Sequence, residues 1–289
     1  MEQGIIIKGV GGFYDVLTDN GIFRCKARGI FRKKGISPMV GDEVEISVSD
    51  GAIVTILPRK NQLIRPVAAN IDILGIVVAA IKPEPDYYLA DKLMIMAESM
   101  NIRVLLIINK IDLVDEEYVK EIAGIYQPAK YPIVPLSCKE RIGFEALKEQ
   151  IGDNIVILAG QSGVGKSSII NELNPEKLLD TGGLSAGIDR GRHTTRHTQL
   201  LVLPAGGMMV DTPGFSNMNI EELEPEELSC LYPDFMDYMH NCRFNRCMHD
   251  QEPGCGIKHA VAEGLISKER YERYIRLLGE LLESRKDMW

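Results

Sequence analysis

A nine-residue run, Gly160-Gln161-Ser162-Gly163-Val164-Gly165-Lys166-Ser167-Ser168, constrains this chain more than any other stretch. It follows the phosphate-loop pattern of a glycine, four arbitrary residues, then Gly-Lys-Ser. The apolar residues 154–159 before it read as a short buried strand, and residues 168–173 after it as the start of a helix. In that context the run forms an anion nest. Its glycines turn successive backbone N–H groups inward, and the helix N-terminus adds partial positive charge at the same place. Lys166 is then placed to reach the β- and γ-phosphates of a nucleotide, and Ser167 to offer its hydroxyl to Mg²⁺.

Two further segments say which nucleotide. The apolar residues 103–108 read as a strand and lead into Asn109-Lys110-Ile111-Asp112. A carboxylate at Asp112 accepts two hydrogen bonds from guanine N1–H and its exocyclic amine, which the opposite polarity of the adenine edge forbids. Asn109 and Lys110 support the base and the loop. A strand over residues 132–136 ends at Ser137-Cys138-Lys139, whose backbone amides are placed to meet guanine O6. Later come Gly191-Arg192-His193-Thr194-Thr195-Arg196-His197, where Thr194 or Thr195 is a Mg²⁺ ligand and Thr195 is favoured, and Asp211-Thr212-Pro213-Gly214. Asp211 is expected to hold Mg²⁺ through water, and the Gly214 N–H to sense a γ-phosphate.

Elsewhere the pattern changes. Residues 4–10, 12–17, 21–27, 43–48 and 52–57 alternate apolar and polar, separated by glycines and by Asp-Asn or Asp-Gly pairs. Five short strands in about sixty residues predict a small β-barrel of the OB type. The formal net charge of −8 argues against nucleic-acid binding through bulk charge. Residues 1–66 nevertheless carry ten basic against seven acidic residues, with Arg24, Lys26, Arg28, Arg32, Lys33 and Lys34 clustered. That surplus fits contact with an RNA backbone, with Phe13, Tyr14, Phe23 and Phe31 as stacking residues. From about residue 70 buried strands alternate with helical stretches, including an amphipathic helix over 88–100, which predicts an α/β domain with a largely parallel sheet.

The six cysteines are more consistent with thiols or metal ligands than with disulfides, because no apolar leader opens the chain and a cytoplasmic setting is expected. Cys242, Cys247, His249 and Cys255 supply three thiolates and one imidazole, a full tetrahedral set for a structural Zn²⁺ with no open position for catalysis. His240 and His259 are the alternative ligands, and Cys25, Cys138 and Cys230 are left as free thiols. Residues 260–263 and 267–286 read as helices, with Arg243, Arg246, Lys258, Lys268, Arg270, Arg273 and Arg276 as further RNA contacts.

The motif set resembles that of translation-factor-related GTPases in an altered order. The base-reading segments at 109 and 137 precede the phosphate loop at 160, the threonines at 194 and 195, and Asp211 to Gly214. Such an order marks a circular permutation. With a barrel before it and a cysteine cluster after it, the chain closely resembles the RsgA family, also called YjeQ or YloQ, over essentially its whole length. The resemblance implies a bacterial GTPase that assists late maturation of the small ribosomal subunit. It also implies zinc at the same cysteine and histidine spacing. Phe215 stands where an ordinary small GTPase carries the glutamine that orients the attacking water, so intrinsic hydrolysis is expected to be slow. His193 is the internal candidate for that task, and the resemblance implies the same role for it. Arg190, Arg192 and Arg196 make its loop basic, and Gly182, Gly183 and Gly187 imply that it orders on binding.

The expected architecture is therefore multidomain α/β. It comprises an OB-fold barrel over residues 1–66, a circularly permuted P-loop GTPase domain over 67–218, and a helical zinc-binding domain over 219–289. Expected partners are GTP or GDP with Mg²⁺ and the small ribosomal subunit with its rRNA, without a membrane and as a monomer. The alternative is a guanine-nucleotide-dependent RNA-binding module in which occupancy alone controls docking. An ATP-using enzyme conflicts with Asp112.

Overall fold

A computed structural model of the chain describes residues 1–33, 35–175, 198–211 and 223–286, which form two compact units. The first comprises Met1–Gly75, Phe144–Leu158 and Lys166–Phe215; the second comprises Ile76–Gly143, Ala159–Gly165 and Ser216–Trp289.

In the first unit the strands Glu2–Val10, Phe13–Thr18, Gly21–Ala27, Glu43–Ser47 and Ala52–Ile56 form the expected barrel. The first pairs with the second, the second with the third, the third with the fifth, the fifth with the fourth, and the fourth again with the first. Alternation explains the closure, because Ile6, Val16, Cys25, Val44, Ile46 and Ile53 all point inward. Each large aliphatic among them contributes about 1.5–3 kcal/mol by leaving water. Phe31 belongs to this core at 8% exposure, so it is not the RNA-stacking residue that the sequence suggested, whereas Tyr14 and Phe23 pack against the core and stay partly exposed. Asp42 is buried and accepts from Arg59 Nε at 2.7 Å and Nη2 at 2.9 Å, which ties the segment after the fifth strand to the residue before the fourth. Beyond the barrel, Glu2–Val10 pairs with Gln199–Val202 through Lys8 and Gln199. Gln199–Val202 lies antiparallel to Met208–Asp211, which in turn runs parallel to Ile155–Ala159.

In the second unit Ile133–Leu136 runs parallel to Arg103–Asn109, so that Leu136 lies beside Asn109 and the two strands end together. The helix Tyr87–Ser99 starts where Asp86 caps the Leu89 N–H at 2.9 Å, and Glu116–Tyr126 where Asp115 caps Tyr118 N–H at 2.9 Å. These carboxylates satisfy donors that a helix start leaves orphaned. Tyr87–Ser99 buries Ala90, Leu93, Met94, Ile95 and Ala97, and Ile95 joins the apolar cluster of the C-terminal segments with Tyr232, Phe235, Tyr274 and Leu278.

One part of that contact is ionic. Arg270, on the helix Lys268–Lys286, is 1% exposed; its Nη1 reaches Asp91 Oδ1 at 2.6 Å and its Nε reaches Asp234 Oδ2 at 3.0 Å. Arg273 Nε also donates to Asp91. Burial opposes the charge on Arg270, but Asp91 and Asp234 outweigh it and raise its pKa. The sequence placed Arg270 and Arg273 among RNA contacts; the structure commits both to these carboxylates. Sequence spacing gave no sign of this, because Asp91 lies 179 residues away.

Arg270→Met will leave the buried Asp234 without its cation and Asp91 with Arg273 alone, and will destabilise the fold by about 3–5 kcal/mol. Denaturant unfolding monitored by far-UV circular dichroism measures the difference, and a loss below about 1 kcal/mol would show that the pair is not buried in solution.

Candidate nucleotide site and metal centre

The base-reading segment and the phosphate loop meet inside the second unit. Asn109, 2% exposed at the end of its strand, donates from Nδ2 to Val164 O at 2.8 Å and accepts from the Cys138 thiol at 3.6 Å. Lys110 takes a left-handed conformation, φ 64°, and its Nζ donates to Gly163 O at 2.8 Å and to Lys82 O at 2.6 Å. Two successive side chains thus grip two successive carbonyls of the loop. Gly160 and Gly165 are required at this approach, since a Cβ would lie 2.2 Å from Val77 O in the first case and 2.2 Å from Asn109 Nδ2 in the second. Both also have positive φ, which side chains disfavour.

Asp112 follows in a short 3₁₀ turn, Ile111–Leu113. Its Oδ1 accepts from Ser137 Oγ at 2.6 Å, and Ser137 Oγ itself accepts from the Glu140 N–H at 3.1 Å. Ser137 is fully buried and also pairs with Ile142 through both backbone groups at 3.1 Å. The hydroxyl fixes the direction in which the carboxylate faces. Sequence reading assigned this turn only backbone amides and missed the Ser137 hydroxyl, which nothing in a three-residue motif distinguishes from an exposed serine.

In the first unit, Lys166 and Ser167 open the helix Lys166–Leu173. Burial lowers the pKa of Lys166, so a phosphate beside it would relieve a desolvated ammonium. Asp211 ends its strand and accepts from Gln199 Nε2 at 2.9 Å through Oδ2. A hydroxyl and a carboxylate are the hard oxygen donors that Mg²⁺ prefers. His193, Thr194, Thr195, Gly214 and Phe215 lie outside the described residues, as do Arg190, Arg192 and Arg196 and the glycines at 182, 183 and 187.

The second unit also holds a metal-binding cluster. The ligand atoms of Cys242, Cys247, His249 and Cys255 all lie within 4.8 Å of one another. His249 Nδ1 is 3.5 Å from Cys242 Sγ and 3.4 Å from Cys255 Sγ, and the two sulfurs are 4.0 Å apart. A tetrahedral Zn²⁺ with ordinary bond lengths has edges of about 3.6 Å between sulfur and nitrogen and about 3.8 Å between sulfurs. The donor set therefore fits zinc in both chemistry and spacing. Burial pushes the Cys247 thiol up to about 12, with Cys255 and Cys242 nearby adding to it. Three thiolates at this spacing need a dication to coexist. Backbone N–H groups of Gly256 and Lys258 approach Cys242 Sγ at 3.3 Å and Cys255 Sγ at 3.5 Å. Tyr271 and Tyr274 hold the carbonyls of His249 and Met248 at 2.6 and 2.7 Å, which orients the histidine.

Chelation of the purified protein will release one equivalent of zinc and lower the melting temperature by at least about 5 °C, the shift expected for a loss of two or more kcal/mol in a chain of this size. Elemental analysis without zinc, or an unchanged melting temperature after its removal, would contradict the metal centre.

A family model described as RsgA GTPase matches residues 56–221, and one described as RsgA N-terminal domain matches residues 3–56. A small ribosomal subunit biogenesis GTPase RsgA of Ruminiclostridium cellulolyticum is 47% identical over 284 residues, 96% of this chain and 93% of that protein. One of Alkaliphilus metalliredigens is 44% identical over 99% of this chain and 100% of its own length. Among solved structures, YjeQ from Thermotoga maritima matches with a TM-score of 0.86 at 39% identity over 97% of this chain and 98% of its own. YloQ, described as a circularly permuted GTPase, matches with a TM-score of 0.83 at 33% identity over 98% and 96%. The chain, with its five-stranded barrel and its motifs in permuted order, is a GTPase and belongs to the RsgA family.

Proposed function

We propose that this protein binds the immature small ribosomal subunit through its RNA, assists late maturation, and hydrolyses GTP in order to leave the particle or to release another factor. The observation that carries this reading is the likeness, over nearly the full length of both chains, to proteins named small ribosomal subunit biogenesis GTPases. The grip of Asn109 and Lys110 on the phosphate loop supports the guanine part of it.

Within that reading each group has one task. Asp112, aligned by Ser137, takes the guanine N1–H and exocyclic amine, and O6 is left to the backbone amide of Cys138, because the Ser137 N–H is committed to Ile142 O. The N–H groups of Gly160, Gln161, Ser162, Gly163, Val164 and Gly165, with Ser168 behind them, cradle the phosphates. Lys166 offsets the charge that builds on the β- and γ-phosphates during transfer. Ser167, Thr195 and Asp211 would hold Mg²⁺, which when bound would neutralise phosphate charge. The Gly214 N–H senses the γ-phosphate, and His193 orients the attacking water in place of the glutamine that Phe215 replaces. Cys242, Cys247, His249 and Cys255 hold zinc as a structural brace for the C-terminal segments. Because Gly214 leads directly along the chain into those segments, loss of the γ-phosphate is set to change their placement and with it the affinity for the particle.

GTP turnover by the zinc-loaded protein alone will be slow and will rise by at least about tenfold with purified small subunits, but not with large ones. Tight GTP binding without stimulation by either subunit would favour the occupancy-controlled module and remove hydrolysis from the mechanism.

A further inference from the structure

Three residues form a row across three neighbouring strands. Lys8 on the barrel's first strand is the register partner of Gln199, and Gln199 is the register partner of Asp211. Direct partners in antiparallel strands carry their side chains on the same face. Gln199 thus stands between a cation and a carboxylate, and its Nε2 donates to Asp211 Oδ2 at 2.9 Å. We propose that Gln199 is the positioning residue of Asp211: it turns the carboxylate so that Oδ1 meets the hydrated Mg²⁺, and it thereby sets the affinity of the nucleotide site for the metal. The proposal rests on Asp211 as the Mg²⁺ aspartate and names the residue that aims it.

The chemistry of the donor suits that task. An amide N–H on a carboxylate makes a charge-assisted hydrogen bond, yet the amide brings no charge of its own. A lysine or arginine in its place would hold Asp211 as firmly but would offset the negative charge that a dication seeks. The cation of the row stands one strand further off, since Lys8 and Asp211 are separated by two strand spacings, about 10 Å between backbones. Gln199 therefore fixes the direction of Asp211 and leaves its charge for the metal. Proteins commonly hold metal-binding carboxylates in this way, by a hydrogen bond from a residue that does not itself touch the ion.

The pairing that brings the two together is pinned at several points. Gln199–Val202 and Met208–Asp211 match over four consecutive pairs, with Leu200 opposite Val210, Leu201 opposite Met209 and Val202 opposite Met208. The Leu203 N–H closes the turn on Gly207 O at 3.0 Å. Gly207 has φ +72°, and a Cβ there would lie 2.4 Å from Gly152 O, so the turn is seated against that backbone. Asn174, just past the helix Lys166–Leu173, donates from Nδ2 to Val202 O at 3.2 Å. A slip of one residue would carry Gln199 to the opposite face and deprive Asp211 of this donor. The barrel adds the last restraint. Its first strand pairs with the fourth over Glu2–Ile5, shifts register between Ile6 and Lys8, and at Lys8 meets Gln199.

Mg²⁺ dependence separates aiming of the carboxylate from support of the hairpin. A fluorescent, non-hydrolysable GTP analogue bound to the zinc-loaded full chain is titrated with Mg²⁺. Asp211→Ala will lose most of the tightening that Mg²⁺ gives the parent. Gln199→Leu keeps the bulk and removes the donor; it will raise the Mg²⁺ concentration needed for half of that tightening by about tenfold or more, while affinity for the analogue in EDTA stays as in the parent. Gln199→Asn, one methylene too short to reach Asp211, will shift the requirement in the same direction and serves where the leucine variant folds poorly. In the Asp211→Ala background Gln199→Leu will add nothing, because the two residues act as a unit. An unchanged Mg²⁺ requirement in both glutamine variants, beside a lost one in Asp211→Ala, overturns the positioning role and leaves the Mg²⁺ aspartate standing. Equal weakening with and without Mg²⁺ overturns it too, since that is the mark of a glutamine that only supports the hairpin. An Asp211→Ala variant with the Mg²⁺ requirement of the parent overturns the magnesium reading of Asp211 itself.

Discussion

The Lys110 ammonium, donating at once to the Gly163 and Lys82 carbonyls, is the contact on which the proposed nucleotide site depends. With the Asn109 amide on Val164 O, it fixes a base-reading turn against a phosphate loop that comes some fifty residues later in the chain. In a permuted sequence no short connection holds these two pieces in place, so side-chain to backbone hydrogen bonds must do it. One donor is charged and the other is buried; leaving the Val164 carbonyl unpaired would cost about 1–3 kcal/mol, whereas water can reach the exposed Gly163 carbonyl. The left-handed backbone at Lys110 is the local strain accepted to aim its side chain.

A second constraint acts in the same unit. The side chains of Cys242, Cys247, His249 and Cys255 gather the segment that carries them, and Arg270 ties the following helix to Asp91 on Tyr87–Ser99. Surface pairs such as Lys130 with Asp237, 76% and 61% exposed, contribute at most about 1 kcal/mol, so they do not decide the packing. The buried Arg270 does, together with Tyr232, Phe235 and Tyr274 around it. The helix Tyr87–Ser99 begins just after Lys82 and Pro83, which touch the phosphate loop through Lys110 and Gly163. The glycine-bearing part of the phosphate loop up to Gly165, the helix Tyr87–Ser99 and the C-terminal cysteine segments therefore belong to one unit.

How much of this could be read beforehand follows from where the information lies. The phosphate loop was legible because its glycines are forced, Gly160 by the Val77 backbone, Gly165 by the Asn109 side chain, and all three by positive φ. The barrel strands were legible because period-two alternation records which face is buried, and their observed limits fall within about two residues of the expected ones. Arg270 and Phe31 were misread for a common reason. A charge on a helix and an aromatic in a basic run look exposed until distant partners, Asp91 and Asp234 for one and the barrel core for the other, are brought to them. Gln199 was invisible, since its meaning comes only from the register that sets it beside Asp211 and Lys8.

The most direct test of the account is nucleotide choice at Asp112. With Ser137 holding the carboxylate, two charge-assisted hydrogen bonds to guanine are worth about 3–6 kcal/mol. Equilibrium binding of GTP and XTP to Asp112→Asn should show GTP weakened by about a hundredfold or more, with XTP now preferred. Unchanged GTP affinity in that variant would contradict the guanine site, and with it the idea that Asn109 and Lys110 grip the phosphate loop in order to position a base.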